Sequence, residues 1–288
     1  MSMRTLSETV ERLCEASRRK ALDPYLAVQW PETIDLAAWY TSPELVSLEG
    51  TEIWDALPDE TRKRLAFWEA VNFYSLNVHG EKALIEGLAR RLYRGGEDDP
   101  SAYLHHFLDE ENKHMVYFGG FCRRYAGKVY RDRKLVLPRE YEDGEEDFLF
   151  FAKVLVFEEL VDEHNRRMAK DERLAPVARQ INASHHHEES RHLVFGREQV
   201  VALFERHASR WPAEVLERVR AYLASYLVAT WKEYFNPDAY ADAGLEDPYG
   251  IAERAFHHPA ARARRTELSL ACVEFLREHG MLAGESAP

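Results

Sequence analysis

From Pro58 onward, apolar residues return every three or four positions over stretches much longer than a strand, and that spacing confines the chain to a helical architecture. The first stretch runs from about Pro58 to Arg94, with Leu65, Trp68, Val71, Tyr74, Val78, Ile85, Leu88 and Leu92 on one rhythm, and Gly95-Gly96 stops it. A second opens behind Asp98-Asp99-Pro100, an N-cap followed by proline at the first turn, and continues to about Tyr125. A third spans Glu145 to about Lys170, and a fourth spans Pro176 to His207 after a break near Asp171–Leu174. Further helices are expected near the N-terminus within Met1–Lys20, from Trp211-Pro212 to Tyr234, and from Pro259 to His279 before Gly280. Between the second and third stretches, Leu135-Val136-Leu137 reads as an extended link, and Gly284–Pro288 as a frayed end. The expectation is one all-α domain over residues 1–288, with a four-helix bundle core at about 60–208 and flanking helices in 1–57 and 209–281.

Fourteen Phe, 14 Tyr and 6 Trp supply the interior that such a bundle needs. A net charge of −12 repels phosphate backbones and anionic headgroups, so neither nucleic acid nor a membrane is an expected partner. No run approaches the roughly 18 apolar residues of a membrane span, and the first 20 residues lack the apolar core of a signal peptide. Cys14, Cys122 and Cys272 lie far apart and form no C-x-x-C pair, which suits a reducing compartment. A cytoplasmic protein is expected.

On these helices, acids and imidazoles recur at metal-ligand spacing. Glu111-x-x-His114 lies on the second stretch, and His185-x-x-x-Glu189-x-x-His192 on the fourth. At about 100° per residue, positions 185, 189 and 192 fall within about 60° of one another, so two imidazoles and a carboxylate aim at one spot. A carboxylate-bridged dinuclear site draws one Glu from each of two helices and a Glu-x-x-His from each of two others. The remaining carboxylates are Glu81 on the first stretch and Glu158 on the third.

Helix faces separate these acids from their neighbours. Glu81 shares a stripe with Val78, Leu84, Ile85 and Leu88, whereas Glu86 neighbours Lys82 and Arg90. Glu158 lies with Phe151, Val154, Leu155 and Val161, while Glu159 faces Glu163 and Arg166. Glu110 is expected at the surface, and Glu188 further out than Glu189. His105 and His106 are candidates for hydrogen bonds to the ligands; His79, His164, His207, His257, His258 and His279 are expected at the surface or as caps. The run Arg262–Arg265 reads as a solvated helix face that binds an acidic segment. Oxygen-rich ligands with a few imidazoles favour iron or manganese over zinc, and four carboxylates neutralise two divalent ions.

At these residues the chain resembles the p-aminobenzoate N-oxygenase (AurF-like) family of di-iron oxygenases, over roughly Trp68 to Gln199. The third histidine, His185, is the most specific element of the resemblance. It implies a ferritin-like core and the metal ligands Glu81, Glu111, His114, Glu158, His185, Glu189 and His192. It also implies O2 as co-substrate, reduced at two Fe(II) ions to a bridging peroxide, and oxidation of an aromatic or other primary amine to hydroxylamine or further. Electrons would come from a separate reductase or small reductant, since the sequence holds neither a Rossmann glycine motif nor a cysteine cluster. A homodimer is expected. Two competing readings are a di-iron oxidase acting on carbon, and a ferritin-type iron-storage protein.

Overall fold

In the computed structural model, which describes residues 6–95, 99–132 and 139–283, nearly every element is a helix. Among the described residues, extended pairing is limited to one isolated bridge between Trp39 and Leu174. The Leu135–Leu137 link and the 284–288 end lie outside the described residues.

Two long helical hairpins make the core. Helix α3 (Asp59–Ala89) packs along α4 (Ser101–Phe121), and α5 (Glu145–Lys170) along α6 (Pro176–His207). At 1.5 Å per residue, the 31 residues of α3 extend about 46 Å. This helix ends at Ala89, several residues before the glycine pair, and a turn covers Arg90–Tyr93. After Phe121 the helix widens into a π-type turn, Cys122–Ala126, and Gly127 ends it with φ +68°.

The remaining helices clothe this core. Helix α1 (Leu6–Arg19) lies against both α4 and α6, so it closes the side where the two hairpins meet. Helix α7 (Ala213–Tyr234) packs on α3 and α5, and α10 (Pro259–Glu278) on α5. Three short helices were not foreseen individually: α2 (Glu52–Ala56), α8 (Pro237–Asp242) and α9 (Pro248–His257). Each begins on a side-chain cap, from Thr51, Asn236 and Asp247 respectively, which satisfies a backbone N–H that the short helix itself leaves open.

The interior between α3 and α4 is aromatic. Tyr74 stacks on Phe118 at 5.2 Å and meets Phe121 edge-on at 5.0 Å, and all three are fully buried. These buried rings reach the polar centre between the hairpins, Phe118 lying 4.8 Å from the His185 ring. No helix of the described residues is long and apolar enough to cross a membrane.

The Arg262–Arg265 expectation needs a correction. Arg264 does reach an acidic segment, at 2.9 Å from Glu49, but Arg265 is buried with 3% exposure. It donates to the Phe256 carbonyl and lies over the Phe256 ring at 4.1 Å.

Candidate metal centre

Four helices deliver carboxylates and imidazoles to the middle of the bundle. Glu81 comes from α3, Glu111 and His114 from α4, Glu158 from α5, and His185, Glu189 and His192 from α6; none is more than 3% exposed. Side chains three and four apart share a helix face, which is why Glu111 and His114, and likewise His185, Glu189 and His192, reach the same place.

Two groups have their possible ligand atoms within 4.8 Å of one another: Glu111, His114, Glu189 and His192, and then Glu81, His114 and His185. His114 belongs to both. Glu111 spans the two imidazoles that follow the Glu-x-x-His pattern, with one oxygen 3.0 Å from His114 Nδ1 and the other 2.9 Å from His192 Nδ1. A Glu189 oxygen lies 3.3 Å from His192 Nδ1, 3.4 Å from His114 Nδ1 and 3.2 Å from His185 Nε2. Glu81 approaches His185 Nε2 at 3.5 Å. Glu158 stands outside both groups, with both carboxylate oxygens buried and without a hydrogen-bond partner.

Further buried atoms here lack hydrogen-bond partners: Glu81 Oε2, Glu111 Oε1, Glu189 Oε2 and His185 Nε2. Several orphaned carboxylate oxygens in one dry spot would each carry a desolvation cost unless a cation satisfied them. The protonation pattern has the same origin. Burial, then the neighbouring Glu111, pushes the Glu81 carboxyl far above its ordinary range, and burial with Glu189 and Glu111 does the same to Glu158. Burial also opposes protonation of His114, but Glu111 and Glu188 outweigh it and raise the imidazole to about 9. His192 is likewise raised against burial, by Glu189 and Glu111. His185 is held neutral by burial and by His114. Protons on two imidazoles thus stand where cations would balance the acids.

The outward nitrogens of these imidazoles are also held. His192 Nε2 lies 2.8 Å from Glu110, and His114 Nε2 lies 3.2 Å from Glu188. Arg191 donates to Glu110 at 2.7 Å and lies 3.8 Å from Glu188, linking the two acids. These contacts overturn the surface placement of Glu110, which is 2% exposed; Glu188 does stand further out than Glu189, behind His114, but it is buried there with 0% exposure. Each acid leaves its own helix and crosses to the histidine of the other. The signal lay in a repeat, Glu110-Glu111-x-x-His114 and Glu188-Glu189-x-x-His192, with a basic residue before each histidine. For His185, the partner is Asn165, whose amide nitrogen is 2.6 Å from Nδ1. If Nε2 is to bind a cation, Nδ1 must carry the proton, and turning the amide lets the otherwise unpartnered Asn165 Oδ1 accept it.

His105 bonds the Tyr93 hydroxyl at an exposed position instead of a ligand, while His106 is half-buried and within electrostatic reach of Glu110. His164 is not at the surface but 4% exposed among Phe73, Trp231 and Tyr234, its Nδ1 on the Leu160 carbonyl. Glu159 turns away from the centre to Arg197, at 2.6 Å.

A family model for the p-aminobenzoate N-oxygenase AurF matches residues 4–280. The chain belongs to this family. This AurF-family protein is therefore an oxygen-using oxidoreductase. No curated protein matches it significantly. Among solved structures, it is similar to an R2-like ligand-binding oxidase variant with an aerobically reconstituted Mn/Fe cofactor, at 13% identity and a TM-score of 0.51, over 95% of this chain and 94% of that one. A second variant of that oxidase, with an anaerobically reconstituted Mn/Fe cofactor, matches at 13% identity and a TM-score of 0.50, over 95% and 93%. At such identity the likeness establishes a shared ferritin-like helical fold for the AurF-family chain.

Proposed function

We propose that Glu81, Glu111, His114, Glu158, His185, Glu189 and His192 hold two metal ions, iron or manganese, and that the protein uses O2 to N-oxygenate an amine. The observation that carries this reading is the set of buried, unpartnered carboxylate oxygens facing three imidazoles. Four carboxylates balance two divalent ions, and neutral His185 adds a donor without changing that balance. Such ions, once bound, supply the site at which O2 is activated.

The protein's own residues account for the rest. Glu111 and Glu189, which lie between the imidazoles, would hold the ions together with Glu81 and the buried, unpartnered Glu158. Glu110 and Glu188 accept the outward N–H of His192 and His114, which fixes each ring with Nδ1 inward. Phe107, stacked on His192 at 4.0 Å, and Phe118, 4.8 Å from His185, exclude water. Conversion of an amine to a hydroxylamine consumes O2, two electrons and two protons and releases one water, so an external donor must supply the electrons.

The test begins with anaerobic loading of Fe(II) and a count of iron per chain. Labelled O2 is then added with a reductant and a panel of primary arylamines and alkylamines, and products are read by mass spectrometry. Two irons and labelled oxygen on nitrogen support the reading. Label on carbon would turn it into the carbon-oxidising alternative, and failure to bind two metals would overturn the ligand assignment.

A further inference from the structure

Every ligand of the centre is at most 3% exposed, so its ions must cross protein to reach it. The walls differ in what they offer a hydrated cation. On the α1 side stands a cation, Arg191, buried and bonded to Ser17 of α1 at 3.1 Å. A cleft of about 350 Å³ between α3, α5 and α7 reaches Glu158, but the Phe157 and Phe150 rings, which rest on Gly80 and Gly87, line it. Its two other charged groups, Lys153 and Glu233, are of opposite sign.

The seam between α5 and α6 offers ligands instead. Asp162 follows Glu158 by one turn, about 6 Å along the helix and about 40° round it, so the two carboxylates share a face. One Asp162 oxygen lies 2.6 Å from His186 Nδ1. Exposure rises outward along this line: Glu158 is 3% exposed, Asp162 8%, and the His186 side chain 35%. The neighbouring acids are taken by guanidinium groups, Glu159 by Arg197 at 2.6 Å and Glu163 by Arg166 and Arg167, each at 2.7 Å. Arg166, one turn beyond Asp162, thus forks onto Glu163. Among the described residues, Asp162 keeps an imidazole as its partner and has no guanidinium in salt-bridge contact.

Both ends of this line suit a cation. With Nδ1 bound to a carboxylate, His186 has Nε2 as its free lone pair, the arrangement in which histidines ligate metals. At the inner end, Glu158 has both oxygens buried without a hydrogen-bond partner and stands outside both ligand groups, so no hydrogen bond fixes its carboxylate in place.

We infer that Asp162 and His186 form a transit site for a divalent cation, Fe(II) or Mn(II), through which the centre is loaded, and that Glu158 draws the ion inward. The inference rests on the reading of the buried carboxylates and imidazoles as a dinuclear metal centre. A cation meets the His186 imidazole first, passes to Asp162 and crosses one helical turn to Glu158. At each stage a protein ligand replaces lost water, which spares the ion a bare passage through the interior. A transit site speeds passage in both directions and leaves the equilibrium unchanged, which separates it from a ligand of the centre.

The test mixes full-length, metal-free protein with Co(II) under anaerobic conditions in a stopped-flow instrument, reading the visible absorption of protein-bound Co(II), and then follows release of the ions into excess EDTA. Asp162→Asn and His186→Gln are each expected to slow uptake and release alike by roughly tenfold, the low end of what focused charge adds to an association rate. Ions per chain and affinity stay as in the wild type. His187→Gln, at the exposed neighbouring position, changes neither rate. Circular dichroism checks that each variant is folded, and His186→Gln, at a half-exposed position, carries the test if Asp162→Asn does not fold. Uptake at the wild-type rate in the folded variants, or weaker binding with the uptake rate unchanged, overturns the inference while the centre stands. A wild type that binds fewer than two ions overturns the centre itself and the inference with it.

Discussion

Replacement of Glu110 by glutamine should cost the centre metal affinity although Glu110 is not among the proposed ligands. The amide keeps the size and one accepting oxygen, but it loses the charge behind the 2.8 Å contact to His192 Nε2 and can accept from only one of His192 and Arg191, which the carboxylate serves with separate oxygens. Alanine is the poorer probe, because it would take the acceptor from both His192 and Arg191, 4% exposed, and leave a cavity besides. Loss of a carboxylate behind a ligand imidazole lowers metal affinity by about 10–100-fold, or about 1.4–2.7 kcal/mol. The mirror variant, Glu188→Gln, acts through His114, whose contact is longer at 3.2 Å. Its effect per ion should be smaller, but because His114 belongs to both clusters it should be spread over both ions. Anaerobic Fe(II) titration against a competing chelator resolves the two steps. Glu110→Gln should show one ion bound as in the wild type and one much more weakly, while Glu188→Gln should shift both by less. Affinities within twofold of wild type in both variants, with the fold intact, would refute the argument that these acids orient and polarise the imidazoles.

The two adjacent acids of α5 should separate cleanly: Glu158→Gln is expected to reduce bound iron below two per chain, and Glu159→Gln, which loses an ion pair with Arg197, to leave the iron count unchanged. Glu69, buried and bonded by Ser47, has its carboxyl raised to about 7, chiefly by burial. Its contribution to stability is therefore complete below about pH 4.5 and is lost as pH rises through 7, by about 3 kcal/mol. Urea unfolding of the wild type and Glu69→Gln at pH 5 and pH 8 should show the variant gaining on the wild type at the higher pH, and parallel curves would contradict this. Gly144 has φ +74°, and a Cβ there would meet the His207 ring at 2.3 Å. Gly144→Ala should lose at least the backbone strain of about 1–2 kcal/mol in the same assay, and an unchanged midpoint would count against it.

How much of this protein its sequence determines follows from the range of the forces involved. Helical spacing is local, so the long helices and their breaks at Pro176 and Gly127 are legible from neighbours a few residues apart. The same locality brings Glu111 over His114, and His185, Glu189 and His192 onto one face, so these candidate ligands could be named before any fold was known. Glu81 and Glu158 could be picked because apolar neighbours on a helix imply an inward face. That reasoning failed for Glu110, and it missed what Glu188 does from its place behind His114. An acid beside a ligand on its own helix looks solvated, and only the packing of α4 against α6, with α1 laid over both, places Arg191 and a histidine of the other helix within reach. His164 and Arg265 were misplaced for the same reason, since the aromatic rings that bury them come from other helices. The cleft beside Glu158 is likewise a property of assembly: Gly80 and Gly87 lie about 70 residues from the rings that rest on them, and no spacing along the chain records that meeting. Periodicity decides which faces turn inward; the approach of separate helices decides which charges meet there and where space remains.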